Sequence, residues 1–229
     1  GEKENMSKVL TRRSQLLEYF LNSASQETLK VGAEFEKLGV FAHSGRAIPY
    51  MGEKGVATVL SSLSSRFDWE KTEEENNLVA LSRKTARITI EPGGQIELSG
   101  STLDNIHQMR EELEEHLREI KSVCEPLGIK WLGLGVQPVS RLEEIQWVPK
   151  QRYRIMAPYM AKKEKLSHHM MKKTASIQVD VDYSDEEDFS EKMRTALVAV
   201  PVTTAIFANS PVSEGKLSGF LSERAHIWN

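Results

Sequence analysis

The stretch ARITIEPGGQIELSG at residues 86–100 predicts a β-hairpin, and the other elements of the chain are arranged around it. Apolar residues fall at every second position on both sides of its centre, a pattern typical of strands that are buried on one face only. The central Pro92-Gly93-Gly94 favours a tight turn, because proline fixes its own φ angle and glycine admits positive φ. The two halves therefore fold back on each other with one apolar and one polar face.

The polar face of this hairpin carries two carboxylates, Glu91 and Glu97. The turn brings them near each other on a rigid support. Carboxylates at short distance repel each other unless a cation or a proton separates them. The hairpin therefore predicts a positive charge bound at this position.

Two other segments repeat the alternation: VGAEFE at residues 31–36 and ASIQVDVDY at residues 175–183. The first places Glu34 and Glu36 opposite its apolar side chains, and the second places Gln178 opposite its own. Together the three strands indicate one sheet with an apolar face and a face lined by oxygen atoms. Oxygen ligands without His or Cys suit a hard cation such as Mg²⁺, which is commonly bound by a few carboxylates together with substrate phosphates.

For any one of these strands, a simpler explanation is the solvated face of an antiparallel sheet, where acidic residues only keep the protein in solution. The combination of four glutamates with a Pro-Gly-Gly turn between two of them favours a metal site instead. We therefore predict that one set of side chains shares a single face and binds a metal: Glu34, Glu36, Glu91 and Glu97.

The same residues resemble a known family. The segment EPGGQIELSG at residues 91–100 is similar to the corresponding segment of the plant-type glutamate–cysteine ligases, which occur in plants and many bacteria. Further similar segments follow in the same order and cover nearly the whole chain: VGAEFEKLG at 31–39, RFDWE at 66–70, LGLGVQP at 132–138, VPKQRYRIM at 148–156, FANSP at 207–211 and EGKLSGFLSERAHIW at 214–228. Any one of them is weakly specific, whereas the set is specific.

This resemblance implies an enzyme that joins the γ-carboxylate of L-glutamate to the amine of L-cysteine with ATP and Mg²⁺, through a γ-glutamyl phosphate. It also implies an α+β fold related to that of glutamine synthetase, in which a curved, mainly antiparallel sheet is packed by helices on one face. Residues 1–229 would form a single catalytic domain, the amino-terminal part of a longer enzyme. Its partners would be small molecules (glutamate, cysteine and ATP), and it would be a monomer or a homodimer.

The resemblance also assigns roles to individual residues. The four glutamates would be the ligands of Mg²⁺. Arg152 and Arg224 would be catalytic and substrate-binding residues, the first near the glutamate substrate and the second near nucleotide and glutamate. Three further residues are expected to contact substrate: Tyr159, Gln178 and Asn209.

Residues 149–165 are rich in cations and aromatic residues. Arginine binds carboxylates and phosphates with two-pronged geometry, yet the composition of this segment by itself favours surface charge. The resemblance reverses that preference for Arg152 and not for Arg154. His168 and His169 are adjacent, so they point in different directions on a helix or a strand, and we do not expect them to share a metal ion.

Composition excludes several classes of function. Of the 229 residues, 39% are hydrophobic and 28% are charged, as in ordinary globular proteins. The net charge of −3 gives no indication of a nucleic-acid or membrane surface, and no apolar run reaches bilayer-spanning length. The one cysteine, Cys124, excludes an internal disulfide and fits a reducing compartment, so we expect a cytoplasmic protein.

Apolar residues at three- and four-residue spacing predict helices over residues 7–21, 54–67 and 102–126. Ser101 or Thr102 is expected to cap the third of these, because a side-chain oxygen there accepts from the first backbone N–H groups.

A fourth helix is expected to begin after Ser184, its cap, and to be kinked or interrupted at Pro201. The acidic run at residues 73–77 predicts a solvated loop, and residues 78–81 predict a short strand that pairs with the hairpin.

Two alternatives remain open at this point. The cysteine pocket is not legible in the sequence, so a related ligase that keeps glutamate and ATP and uses another amine is the first alternative. A non-catalytic binding or regulatory fragment with a solvated acidic sheet belongs to a different class and fits the short length.

Overall fold

The computed structural model of the chain describes residues 10–24 and 28–229. Along these ranges the chain forms nine strands and seven α-helices. The strands are β1 (Val31–Phe41), β2 (Glu70–Glu74), β3 (Asn77–Arg83), β4 (Ala86–Ile90), β5 (Ile96–Ser99), β6 (Ile129–Leu132), β7 (Ile177–Val181), β8 (Val212–Ser213) and β9 (Lys216–Leu217). The helices are α1 (Arg13–Asn22), α2 (Val56–Arg66), α3 (Ile106–Cys124), α4 (Gln151–Met160), α5 (Ser167–Lys173), α6 (Glu186–Ile206) and α7 (Glu223–Trp228), with short 3-10 turns at Glu125–Leu127 and Leu142–Glu144.

The first seven strands form one sheet in the hydrogen-bonded order β2-β3-β4-β5-β1-β6, with β7 also paired to β1. Each pairing in this sheet is antiparallel. Glu34 and Phe35 of β1 pair with both β5 and β7, so these two strands lie on opposite edges of β1. The predicted α+β class with a mainly antiparallel sheet is confirmed, whereas the relation to glutamine synthetase stays a prediction.

The predicted hairpin is confirmed as β4 and β5, in the register that pairs Ile88 with Leu98. Gly94 has a φ angle of 87°, which accounts for one glycine of the turn. The other glycine has a different reason. A Cβ on Gly93 would lie 2.1 Å from the carbonyl oxygen of Lys172, so only glycine allows α5 to approach the turn this closely.

The apolar face of β3, β4 and β5 is sealed by α2 and α3. Leu60 and Leu63 on α2 and Ile88 on β4 are fully buried in this core. Burial of such side chains is the dominant favourable term in folding. This layer therefore holds the sheet rigid beneath whatever its other face binds.

Within residues 10–24 and 28–229, the apolar face is left open at the β7 edge. Val179 pairs with Ala33, so it projects from the same face as Ile88, yet 67% of Val179 is exposed. None of the residues of α1 or α6 is buried. None of the helices in the described part of the chain combines the length and the apolar composition of a transmembrane span.

The helix predictions are confirmed in place and corrected at their ends. The helix predicted over 54–67 is α2. The one predicted over 102–126 begins only at Ile106, because Asn105, rather than Ser101 or Thr102, accepts hydrogen bonds from the first N–H groups. Of the helix predicted over 7–21, residues 7–9 lie outside the described residues, and the remainder overlaps α1.

Two other local predictions are corrected. Asp185, rather than Ser184, caps α6, and α6 continues through Pro201, so the predicted interruption is wrong while a kink there stays a prediction. The acidic run at residues 73–77 is not simply a loop, since its first half belongs to β2 and only Glu75 and Asn76 form the turn to β3. The short strand predicted at residues 78–81 is confirmed within β3.

Candidate functional site

The face of the sheet opposite the core carries the predicted carboxylates. Glu36 of β1 pairs directly with Glu97 of β5, and Glu34 pairs with Ser99 and with Gln178 of β7. Directly paired residues of antiparallel strands project from the same face. Glu91 follows β4 and, by alternation from the buried Ile90, points to this face as well. We call the surface formed by Glu34, Glu36, Glu91 and Glu97 the acidic face.

Crowding shows in the acid–base properties of these groups. The pKa of Glu36 is raised to about 7, mainly by burial and also by the charges of Glu91 and Glu97, while hydrogen bonds from Ser176 favour the ionised form and oppose the rise. The Ser176 backbone N–H donates to Glu36 Oε2 at 2.6 Å. Burial also raises the pKa of Glu34, followed by repulsion from Glu97, Asp180 and Glu91. The four carboxylates therefore act on one another electrostatically.

Glu97 and Glu91 are held in different ways. Glu97 is 8% exposed, and its Oε1 accepts hydrogen bonds from the hydroxyls of Thr89 and Ser99, both at 2.8 Å. Burial and the charge of Glu97 raise the pKa of Glu91, while Arg152 and Lys150 oppose the rise. The nearest of these cations is Arg152, whose Nη2 lies 3.5 Å from Glu91 Oε1. The hairpin thus presents one carboxylate fixed by hydroxyls and one beside a cation.

The acidic face fits Mg²⁺ in the chemistry of its donors, which are all carboxylate oxygens, and the pKa values of Glu34, Glu36 and Glu91 are raised by burial and by neighbouring carboxylates. Within the described residues, no group of three or more His, Cys, Asp or Glu is close enough together to hold a metal ion as it stands. Mg²⁺ keeps several waters and is usually bound through one or two carboxylates plus substrate phosphates, so a closed protein cage is not required. The face is therefore suited to a cation that arrives with an anionic ligand.

Arg224 is the second residue of α7. Burial lowers the pKa of its guanidinium and the charge of Glu36 raises it, which places the two groups within electrostatic reach. The guanidinium lies 4.9 Å from the ring of Trp228. Its Nε is buried and has no hydrogen-bond partner among the described residues. An unpartnered buried donor of this kind is available to an anionic ligand.

The remaining predicted site residues lie in different settings. Gln178 shares the acidic face through its pairing with Glu34. Tyr159 is 58% exposed near the end of α4, where Lys163 lies over its ring. Arg154 forms an exposed ion pair with Glu75, as expected for surface charge.

Asn209 is largely committed to the fold. Its Oδ1 accepts from the backbone N–H of Gly135, and its Nδ2 donates to the carbonyl of Gly133, both at 3.0 Å. The side chain thereby ties the segment after α6 to the loop after β6. Its predicted contact with substrate stays a prediction, and the contacts seen here are structural.

Sequence reasoning missed several residues at this site. The alternation in residues 175–183 already places Asp180 on the same polar side as Gln178, although Asp180 is not among the predicted ligands. Ser176, Lys150 and Tyr153 carry no such signal, because their contacts with β1 and β4 join segments far apart in the chain.

A helix-sealed antiparallel sheet with carboxylates on its open face and arginines beside them defines a class of α+β protein suited to anionic ligands bound together with cations. The chain belongs to the glutamate-cysteine ligase family 2 (GCS2), whose family model matches residues 30–229.

Named relatives agree with this assignment. The chain is 42% identical to glutamate–cysteine ligase B, chloroplastic, of Oryza sativa subsp. japonica over 228 residues. The aligned region covers 99% of this chain and 45% of that protein. It is 41% identical over 217 residues to the chloroplastic glutamate–cysteine ligase of Arabidopsis thaliana, covering 94% of this chain and 41% of the relative. The chain therefore spans less than half the length of the curated relatives it matches.

Proposed function

We propose that this protein takes part in the ATP- and Mg²⁺-dependent ligation of L-glutamate, through its γ-carboxylate, to the amine of L-cysteine, which is the first step of glutathione biosynthesis. The observation that carries the proposal is the acidic face, where four carboxylates are crowded next to Arg152 and Arg224. Membership of a glutamate–cysteine ligase family supports this choice of reaction.

The proposed reaction has two steps. A γ-carboxylate oxygen of glutamate attacks the γ-phosphorus of ATP, and ADP leaves. The cysteine amine then attacks the acyl carbon of the γ-glutamyl phosphate, inorganic phosphate leaves, and the nitrogen loses a proton as the amide forms. Neither step requires a nucleophile from the protein, so the side chains act by positioning and by electrostatic stabilisation.

The carboxylates of the acidic face and the neighbouring arginines have separate roles in this reaction. Its carboxylates would hold Mg²⁺, which supplies positive charge against the phosphate oxygens during phosphoryl transfer. Arg152 orients the α-carboxylate of glutamate, and Arg224, with its unpartnered Nε, binds phosphate or substrate charge. Gln178 lies beside Glu34 on the same face and contacts substrate there, together with Tyr159.

Several properties of the whole protein belong to the same proposal. Its partners are glutamate, cysteine and ATP, and it is a monomer or a homodimer located in the cytoplasm. The location rests on the one cysteine, Cys124, which is buried and not in a disulfide.

The decisive experiment measures ADP release by the purified protein with Mg-ATP and glutamate, in the presence of cysteine, of other small amines, or of no amine. We expect release that depends on cysteine. Release that prefers another amine would keep the acidic face and move the protein to a related ligase. Absence of both ADP release and Mg-nucleotide binding would show that the acidic face is only a solvated one.

A single substitution tests the role of the acidic face. Glu97→Gln keeps the size of the side chain and removes the charge, so we expect amide formation to fall by about 100-fold or more, as is common when electrostatic stabilisation is lost. Glu70→Gln is the matched control, because Glu70 is an exposed glutamate on β2 of the same sheet. Equal turnover of the two variants would contradict the assignment.

A further inference from the structure

The carbonyl oxygen of Ile90, the last residue of β4, accepts two side-chain hydrogen bonds. Lys150 Nζ donates to it at 2.7 Å and Tyr153 Oη donates to it at 3.1 Å. Both donors are buried, with 7% of Lys150 and 2% of Tyr153 exposed. Ile90 directly precedes Glu91, so these bonds attach to the backbone next to a carboxylate of the acidic face.

Burying an ammonium group to form such a hydrogen bond is energetically unfavourable. Removing an unpaired lysine charge from water costs far more than one hydrogen bond to a neutral carbonyl returns. Burial and the charge of Arg152 lower the pKa of Lys150, whereas the nearby charges of Glu91, Glu74 and Glu97 favour its protonated form. The position of Lys150 therefore has an explanation in the site, beyond packing.

Tyr153 joins the same carbonyl to the site arginine. Its hydroxyl accepts a hydrogen bond from Arg152 Nη2 at 2.7 Å while it donates to Ile90. The Arg152 guanidinium lies 4.7 Å from the Tyr153 ring, and its Nη2 lies 3.5 Å from Glu91. The Tyr153 hydroxyl thus links the guanidinium of Arg152 to the end of β4, directly before Glu91.

The turn beyond Ile90 is held by further contacts. The backbone N–H of Val148 donates to the carbonyl of Pro92 at 2.9 Å. The side-chain amide of Gln95 donates to the carbonyls of Met171 and Thr174 at the end of α5, at 3.2 and 2.8 Å. The hairpin end is therefore anchored to the segment before α4 and to α5, and the Ile90 carbonyl is where the hairpin binds the first turn of α4 itself.

We propose that Lys150 and Tyr153 are positioning residues, which clamp the first turn of α4 to the end of β4 and so set the separation between Arg152 and Glu91. This inference rests on the proposed function, in which a substrate carboxylate is bound by Arg152 while a divalent cation is bound beside Glu91. A ligand that carries both charges can bridge the two groups only when their separation is correct. Misplacement by about 1 Å can cost about 100-fold in rate.

Tyr153→Phe tests the clamp by removing the hydroxyl alone. Tyr50→Phe is the matched control, since Tyr50 is also buried and its hydroxyl donates to a backbone carbonyl, that of Leu78, at 2.9 Å within the sealed core. We expect both variants to lose similar stability. Only Tyr153→Phe is expected to lower kcat/KM for glutamate by about 10- to 100-fold, mainly through KM, and to weaken Mn²⁺ binding measured by electron paramagnetic resonance.

A second pair of variants separates hydrogen bonding from charge at Lys150. Lys150→Met removes the donor and keeps the apolar stem, whereas Lys150→Gln keeps an N–H donor without the charge. We expect KM for glutamate to rise in Lys150→Met and to return towards the wild-type value in Lys150→Gln. An equal rise in both variants would overturn the clamp as a hydrogen-bonding device.

Hydrogen exchange of residues 90–94 and 150–154 distinguishes failure of this inference from failure of the proposed function. Faster exchange in both segments in Tyr153→Phe, but not in Tyr50→Phe, supports the clamp whether or not the protein is active. Unchanged exchange together with unchanged kinetics overturns it. A wild-type protein that neither binds Mn²⁺ nor releases ADP overturns the proposed function, and the exchange data then decide the clamp by themselves.

Discussion

The two faces of the sheet place their side chains in opposite chemical environments, one apolar and one acidic. Leu98 and Glu97 are neighbours on β5, yet Leu98 lies in a core sealed by helices, and Glu97 lies among carboxylates on the opposite face. On the core face most contacts are apolar and favourable. On the acidic face the groups repel one another and are partly buried, as the raised pKa values of Glu34, Glu36 and Glu91 show.

This contrast shows how one sheet serves two purposes. Each unit of pKa shift corresponds to about 1.4 kcal/mol of differential interaction between protonated and ionised forms, so crowded carboxylates oppose folding when they are ionised. The sealed core offsets that cost by burying apolar surface on the other side of the same strands. Stability therefore comes from one face, and the other face is left for the cations that we propose it binds.

The largest expected effect comes from the sealed face. Ile88→Ala removes a fully buried side chain and leaves a cavity, so the free energy of unfolding is expected to fall by about 4 kcal/mol. Arg87→Ala, one residue away on the acidic side and exposed, is expected to change it by less than about 0.5 kcal/mol. Urea denaturation of both variants measures the difference, and similar losses would show that the faces are not energetically distinct.

A smaller effect is expected from pH on the acidic face. Because the folded-state pKa of Glu36 is about 7 against 4.5 when unperturbed, the folded state binds more protons between these values, and its stability falls as pH rises through this window. Glu36→Gln should remove this contribution. The wild-type minus variant difference in unfolding free energy, measured from pH 4.5 to 7.5, should therefore decline with pH, and a flat difference would contradict the raised pKa.

Replacing His116 on the sealed face is expected to raise the free energy of unfolding by about 1 kcal/mol. It is 1% exposed, and both ring nitrogens lack a hydrogen-bond partner among the described residues. His116→Leu is expected to stabilise the protein by that amount, because an unsatisfied buried polar group costs about 1–3 kcal/mol. His107→Leu, on the exposed side of the same helix, is the control.

The same substitution has a pH signature. Burial lowers the pKa of His116 to about 3 from 6.5, so the unfolded state binds more protons between these values, and wild-type stability rises with pH through the window. His116→Leu should abolish that rise. A variant that is less stable than wild type at pH 7 would show that the ring has a role that its contacts do not reveal.

The smallest effect is expected at the open edge of the apolar face. Val179 projects from the same face as Ile88 but is 67% exposed, so Val179→Ala is expected to cost less than about 0.5 kcal/mol. The measurement is again urea denaturation, with Ile88→Ala as the reference. A loss above about 1.5 kcal/mol would mean that Val179 is covered in solution, and size-exclusion chromatography would then test for a second copy.

Much of the acidic face was predictable because alternation in a strand is a local property. The period of two places Glu34 with Glu36 and Glu97 with Ser99 without knowledge of any partner strand, and the Pro-Gly-Gly turn predicts the hairpin that brings Glu91 and Glu97 to the same end. The same rule was sufficient for Asp180. Helix ends were less predictable, since Ser101, Thr102 and Asn105 are all suitable caps by composition, and the geometry of the chain selects one.

By itself, the sequence determined the alternating strands, the hairpin turn, the acidic face and the family. The tertiary structure alone decided that Gly93 makes room for α5, that Asn209 holds the loop after β6, and that Lys150 and Tyr153 meet at the Ile90 carbonyl. The physical reason is the range of the interactions. Strand alternation and turn formation depend on neighbouring residues, whereas Lys150 is 60 positions from its hydrogen-bond acceptor and finds it only when the sheet has formed.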